Sequence, residues 1–330
     1  MTQSPRSLNV KIIGTGSYLP EQKESVKDFL AKGASQDFID HAGVFEHRVI
    51  GDNETVTDME AKAAEKALQV AGITSQDIDL IIGITALSEE TNPQNVALTQ
   101  KKIGATNAAA IHVDLSCAGA IPAMIIAANF IELGQYKNIL LVASCNLTTV
   151  SGNTDPASYV VLGDGASAIV MTKADNNKQG ILAFDLEAKG QYFSYCGIKS
   201  EPRKAPLFFI DEKALAETND ASGLQRYLVS SVPKSVNRAL KKAELKASEV
   251  DLLVPHQNNK ILGQKWVDNL MKKGIKNAHT TYEKYGNMSA ANIWVNLDEA
   301  LKENKIKEGD IIAFAGQGSG FHVGSIIMRW

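Results

Sequence analysis

Apolar runs of strand length alternate with segments of helical spacing along the chain. Val10-Lys11-Ile12-Ile13-Gly14, Ile78-Asp79-Leu80-Ile81-Ile82-Gly83-Ile84, Ile139-Leu140-Leu141-Val142 and Ser167-Ala168-Ile169-Val170-Met171 read as buried strands. Between the first two, Thr57 to Val70 places Met59, Ala63, Ala67 and Val70 on one helical face, with Gly72 as the C-cap. Shorter helices are predicted over Ser25 to Lys32 and Asn95 to Ile103. Strands that are apolar on both faces and separated by helices predict a largely parallel sheet covered on each side. The helix from Ala118 to Leu133 has almost no polar face, which predicts a place at the centre of the molecule.

The second half repeats the first. Ala239-Leu240 lies 172 positions beyond Ala67-Leu68, Asp251 the same distance beyond Asp79, and Ile311-Ile312 the same distance beyond Ile139-Leu140. One offset held over some seventy residues predicts a duplication, and the polar stretch Ala174 to Gly180 is the expected boundary, giving halves 1–175 and 176–330. The offset also pairs Cys117 with Ser289 and Ile84 with His256.

Composition leaves that picture unchanged and narrows the function. The 330 residues carry a formal net charge of -3, with 44% hydrophobic and 22% charged residues. No basic stripe, polybasic anchor or apolar leader stands out, so nucleic-acid and membrane partners are not expected. The apolar helix, interrupted by Pro122, Asn129 and Glu132, is too short to span a bilayer. Three cysteines with no CxxC spacing fit a reduced, cytoplasmic protein with no metal.

Candidate chemistry centres on Asp114-Leu115-Ser116-Cys117-Ala118-Gly119, where a strand stops and the apolar helix begins. A cysteine at such a corner is exposed at the carboxyl edge of the sheet, and the amides and positive end of the helix favour its thiolate. Cys145 and Cys196 read as buried small hydrophobes. His256 ends a strand in Val254-Pro255-His256-Gln257-Asn258, and Asn287 lies in the loop Tyr285 to Asn292 that the offset sets opposite Cys117. Strand ends of two related sheets can face one cleft, so Cys117, His256 and Asn287 are candidates for one site although 139 residues separate the first two. His112 and His322 are the other histidines near that cleft in sequence. The glycine-rich stretch Ala315 to Phe321 lacks the lysine and helix of a phosphate loop and is read as a source of N–H groups for an oxyanion.

The Cys117 corner, Gly163-Asp164-Gly165-Ala166, Pro255-His256-Gln257 with Asn259, Gly286-Asn287 with Ser289-Ala290-Ala291, and Gly318-Ser319-Gly320-Phe321 together resemble the β-ketoacyl-ACP synthase III branch of the thiolase superfamily. The resemblance implies an α/β, thiolase-like fold of duplicated βαβαβαββ halves in a five-layer α-β-α-β-α arrangement, assembled as a homodimer. It implies that Cys117 accepts an acyl group from a CoA or acyl carrier protein thioester, with N–H groups of Cys117 and Gly320 as the oxyanion hole. His256 and Asn287 then stabilise the enolate of a malonyl thioester as CO2 leaves, and no cofactor is needed beyond the thioester substrates.

Three features set the chain apart within that resemblance. Asp37-Phe38-Ile39-Asp40-His41 and Thr154-Asp155-Pro156-Ala157-Ser158 lack the Trp and Arg that sandwich adenine in acetyl-CoA-using members. Asn92 before Pro93 replaces the Phe that enters the partner subunit's acyl pocket. All three point to a non-acetyl acyl donor and a specialised fatty acid or polyketide-type pathway. Lys260 and Lys265, with Lys272 and Lys273, are candidates for docking an acidic carrier protein. The competing readings are a same-fold acyltransferase acting on an alcohol or amine, and housekeeping initiation from acetyl-CoA.

Overall fold

The structure is a computed structural model that describes residues 7–151, 156–176, 178–199, 207–210 and 223–330. Outside the described residues lie 1–6 of the polar N-terminus, Thr154 and Asp155 of the stretch compared for an adenine-binding Arg, and Asn177 of the expected boundary.

The chain begins with β1 (Val10–Tyr18) and a small ribbon of β2 (Lys23–Ser25) and β3 (Glu46–Arg48), between which lie α1 (Val26–Ala31) and α2 (Gln36–Ala42). There follow α3 (Val56–Ala71), β4 (Leu80–Thr85), α4 (Asn95–Lys102), β5 (Ala109–His112), α5 (Ala120–Glu132), β6 (Ile139–Cys145), α6 (Thr148–Ser151), α7 (Pro156–Val161) and β7 (Gly165–Lys173). Next come β8 (Gly180–Ala188) and a second ribbon of β9 (Cys196–Lys199) and β10 (Leu207–Ile210). The chain continues through α8 (Leu224–Lys242), β11 (Leu252–Pro255), α9 (Lys260–Lys272), α10 (Tyr282–Tyr285), α11 (Ala291–Lys302), β12 (Ile311–Gly318) and β13 (His322–Arg329).

The strands form two sheets of matching order, β1-β7-β6-β4-β5 and β8-β13-β12-β11. In the first, β4 runs parallel to β5 and β6 while β7 is antiparallel to β1 and β6. In the second, β11 runs parallel to β12 while β13 is antiparallel to β12 and β8. A single parallel bridge, Leu253 to Ala278, stands where the first sheet has β5. The register follows the sequence offset to within one residue, since Leu80 pairs with Ile139 and Leu252 pairs with Ile312 where the offset leads to Ile311.

Alternation along each strand builds the layers, because successive side chains point to opposite faces. Leu80, Ile82 and Ile84, with Ile139 and Leu141, face a central core that also takes Leu252, Val254, Ile312 and Phe314 from the other sheet. Ile81, Leu140 and Val142 face outward onto α3 through Met59, Ala63, Ala64 and Ala67. Leu253, Ile311 and Ala313 face the opposite way onto α8 and α9 through Val232, Val236, Trp266 and Leu270. Helices α5 and α11 fill the space between the sheets, giving the order helix, sheet, helix, sheet, helix.

The expected apolar helix is α5, preceded by a separate turn at Ser116–Ala118. Pro122 does not break it, because it lies in the first turn, where its missing N–H has no intrahelical partner to lose. Trp294 of α11 is fully buried, and its indole N–H donates to Met124 Sδ of α5 at 3.4 Å. Among the described residues no helix is long and apolar enough to cross a membrane.

Helix α3 lies so close to β1 that an added Cβ on Gly16 would stand 2.3 Å from the Ala63 carbonyl oxygen. Gly16→Ala is therefore expected to destabilise the fold by about 1–3 kcal/mol, the usual cost of overpacking. Urea denaturation measures this, and an unchanged midpoint would contradict the backbone contact.

Candidate functional site

Cys117 lies in a single 3₁₀ turn, Ser116–Ala118, between β5 and α5. The chain reverses there at Ser116, whose φ of 49° falls in the left-handed region rarely used outside glycine. The turn places the Cys117 side chain, half-buried, at the start of α5.

The second corner repeats the device. Ser289 has φ of 51° and precedes α11, and its hydroxyl lies 3.4 Å from Cys117 Sγ. Ser289 Oγ–H thus meets the sulfur of the residue 172 positions before it. The same residue donates its backbone N–H to Asn287 Oδ1 at 2.9 Å. The amide orientation of Asn287 is fixed by that bond, so its Nδ2 is the donor end, now at 3.3 Å from the Asn258 carbonyl.

The backbone of Asn287 is clamped from the first half. Asn287 N–H donates to Val161 O at 2.8 Å, and Gly163 N–H donates to Asn287 O at 3.1 Å. Gly163 is pressed against this loop, since a Cβ there would stand 2.1 Å from Tyr285 O. Asp164 ties the corner down by accepting from the N–H groups of Ile50 at 2.9 Å and Thr148 at 3.1 Å, and from the Thr148 hydroxyl.

His256 is held at the end of β11 by its N–H, which donates to Ala315 O at 2.7 Å. It rests on Gly316, where a Cβ would come within 3.0 Å of the His256 Cβ. The ring is fully buried, and neither nitrogen has a hydrogen-bond partner of ordinary geometry. Burial pushes its pKa down to about 3, against a smaller opposing pull from the Ser289 backbone. His256 is therefore neutral, with its ring beside the Ser289 backbone.

The thiol differs from its expected state. Burial pushes Cys117 up to about 11, although the Ser289 hydroxyl and the backbone of Cys117 and Ser319 pull the other way. The start of α5 does not outweigh the loss of water, so Cys117 rests as the thiol. Gly318 packs on the Cys117 amide, with a would-be Cβ 3.0 Å from Cys117 N and 2.6 Å from Ala118 N. Gly320 follows two residues later at φ 72° in the turn between β12 and β13.

Ser289, Ser319 and Cys196 carried no role in the sequence reading. Ser289 was marked there only as the mate of Cys117, and the conserved offset was the signal that could have promoted it. Cys196 is half-buried with Sγ 3.5 Å from Ser319 Oγ; burial raises its own pKa, and a charge on it would raise that of Cys117. Nothing in the local sequence signals this, since β9 is brought to the site by the second ribbon. Tyr192 lies beside them, its ring 5.5 Å from both Phe321 and Tyr227.

The remaining candidates lie elsewhere. Asn92 and Pro93 stand exposed in the loop between β4 and α4. Lys260 folds its stem over Gly43 and pairs with Glu283 at 3.6 Å, and Lys265 is exposed on α9. Among the described residues no group of three His, Cys, Asp or Glu side chains converges as metal ligands do.

Comparison with known proteins agrees with this geometry. The family model described as 3-oxoacyl-[acyl-carrier-protein (ACP)] synthase III matches residues 111–190, and its C-terminal counterpart matches residues 240–330. The chain is 33% identical to a β-ketoacyl-[acyl-carrier-protein] synthase III of Clostridioides difficile, across 97% of this chain and 98% of that protein. The crystal structure of the 3-oxoacyl-[acyl-carrier-protein] synthase III of Aquifex aeolicus superposes with a TM-score of 0.86 at 31% identity, covering 97% of this chain and all (100%) of that one. The priming β-ketosynthase of the R1128 polyketide pathway gives a TM-score of 0.86 at 25% identity, over 98% and 97% of the two chains. A relative one-third identical over nearly its whole length, and family models centred on the Cys117 corner and on the His256 and Asn287 half, establish that the chain belongs to the β-ketoacyl-ACP synthase III family of acyltransferases, within the thiolase superfamily.

Proposed function

We propose that this enzyme transfers a non-acetyl acyl group from a CoA or carrier-protein thioester to Cys117 and condenses it with a malonyl thioester, in a specialised fatty acid or polyketide-type pathway. The observation that carries the reading is the convergence on Ser289 of the Cys117 sulfur, the Asn287 amide and the neutral His256. This set joins a nucleophile to two donors suited to an enolate.

In the first step the Cys117 sulfur attacks the thioester carbonyl, the acyl C–S bond to the carrier breaks, and the proton lost from Cys117 leaves on the departing thiol. N–H groups of Cys117 and Gly320 would stabilise the oxyanion, and Gly318 sets the position of the first. In the second step the malonyl carboxylate leaves as CO2 and its electron pair passes to the thioester enolate. Asn287 Nδ2–H and a neutral His256 N–H would hold the enolate oxygen without protonating the carbanion. The carbanion attacks the acyl–Cys117 carbonyl and releases Cys117 as thiolate, which recovers a proton from water.

An alcohol or amine acceptor would need a base near Cys117. His256, held near pKa 3, is a poor one, which favours condensation over simple acyl transfer. Three observations support a donor other than acetyl-CoA. Phe38 packs into the cluster of Phe29 and Ile39 and is not free to stack on adenine. The exposed Asn92 is a smaller, more polar plug than Phe for a partner subunit's acyl pocket. Tyr192, Tyr227 and Phe321 build an aromatic wall behind the Ser319 turn. Assembly as a homodimer and carrier docking through Lys260 and Lys265 belong to the same proposal, which requires no cofactor beyond the thioester substrates.

Asn287→Ala should lower CO2 release from a malonyl thioester by on the order of hundreds-fold, the effect of one oxyanion donor, while leaving Cys117 able to take an acyl group. A parallel loss of acylation would make Asn287 a structural residue. Iodoacetamide alkylation of the free enzyme should be about a hundredfold slower at pH 8 than for a thiol titrating at 9.0, and should rise tenfold per pH unit toward about 11. CO2 release from the acylated enzyme should stay flat from pH 5 to pH 8, because His256 is uncharged throughout; a limb near pH 6.5 would contradict its burial. Mass spectrometry of Cys117 after exposure to a panel of acyl-CoAs and acyl carrier proteins identifies the donor, and labelling by acetyl-CoA alone would reject a specialised role.

A further inference from the structure

Ser289 touches Cys117, His256 and Asn287 alike, and the condensation scheme gives its side chain no task. Its backbone N–H donates to Asn287 Oδ1 at 2.9 Å, its backbone lies beside the His256 ring, and its hydroxyl donates to Cys117 Sγ at 3.4 Å. The residue is 2% exposed, so bulk water does not compete for that hydroxyl.

The turn that carries it is held rigidly. Asn292, fully buried in the first turn of α11, accepts from Met288 N–H at 2.7 Å and donates to Gly286 O at 3.2 Å. Between these anchors Ser289 takes its left-handed φ of 51°, as Ser116 does at 49° beside the cysteine. The hydroxyl is thereby aimed at the sulfur.

A sulfur that attacks a thioester gathers negative charge, and few groups here can meet it. Burial pushes Cys117 up to about 11, and the Ser289 hydroxyl is the largest influence that opposes this rise. The other opposing influences are backbone groups of Cys117 and Ser319. The Cys117 N–H is also the donor assigned to the oxyanion, which would draw it toward the acyl oxygen. His256 is uncharged and supplies no cation, and a charge on Cys196 would repel the thiolate.

We propose that Ser289 is a further catalytic residue, whose hydroxyl donates to the Cys117 sulfur while that sulfur carries charge. The need arises twice in the condensation scheme, on which this assignment rests: when Cys117 attacks the acyl thioester, and when the carbanion displaces it. The Ser289 proton stays on its oxygen throughout, and only the strength of the hydrogen bond changes.

Alkylation of Cys117 in the free enzyme, followed by mass spectrometry, reads this contact with no acyl donor or malonyl thioester present. A hydrogen bond to a charged group is worth roughly tenfold to a hundredfold in thiolate population, and the greater nucleophilicity of a less stabilised sulfur returns about half of that on a logarithmic scale. Ser289→Ala should therefore slow alkylation at pH 8 by about three- to tenfold, equally with iodoacetamide and with the bulkier N-ethylmaleimide. Ser289→Gly removes the same oxygen, suits the left-handed turn and should give the same loss. Both variants keep the backbone groups that face Asn287 and His256, so acylation by a thioester should fall more than CO2 release from a malonyl thioester. Alkylation at the wild-type rate in both variants overturns the proposal. So does a loss that differs between the two probes, which marks a change of access, or an equal fall of acylation and CO2 release, which marks a collapsed corner. A wild type that releases no CO2 rejects the condensation reading, and the alkylation rates then decide the role of Ser289.

Discussion

The contact between Ser289 Oγ and Cys117 Sγ, 3.4 Å across 172 residues of sequence, is the constraint on which the site depends. It exists because α5 and α11 are buried side by side between two sheets, so the corners that begin them must meet. Ala120, Ile121, Ala123 and Met124 of α5, and Ile293, Trp294, Val295 and Leu297 of α11, are all fully buried in the shared core. A hydroxyl at the mate position lets the second corner touch the sulfur with a donor, where an apolar side chain would only bury it further.

The same burial explains the division of labour between the two titratable groups. Loss of water raises the thiol and lowers the imidazole, so both rest uncharged. A site holding neutral groups has no ion pair to break when a thioester enters. In the proposed reaction, charge would appear only on the reacting oxygens and sulfur.

Much of this was legible in the chain. The repeat was visible as a constant offset because strands and helices recur in the same order at the same spacing, and the layers followed from strands apolar on both faces. The approach of the Cys117 corner to the Ser289 loop was legible because the constant offset sets the two corners opposite each other. The thiolate expectation failed on a quantity that sequence does not display, the depth of Cys117 beneath the turn Ser319–Phe321. Cys196 escaped notice for a related reason. Its neighbour Ser319 lies 123 residues away, and only the packing of β9 against the last hairpin joins them.

Gly318 bears on the life of the molecule before it is complete. Its backbone lies so near the amides of Cys117 and Ala118 that no side chain fits between them, and it belongs to β12, far along the chain from the corner it presses on. A ribosome finishes the cysteine corner long before it reaches that strand. During this interval Cys117 has no seat, no Ser289 beside it and no glycine to fix its amide. The nucleophile is assembled only as the late hairpin docks, so an interrupted polypeptide carries an ordinary cysteine instead of a half-made catalyst.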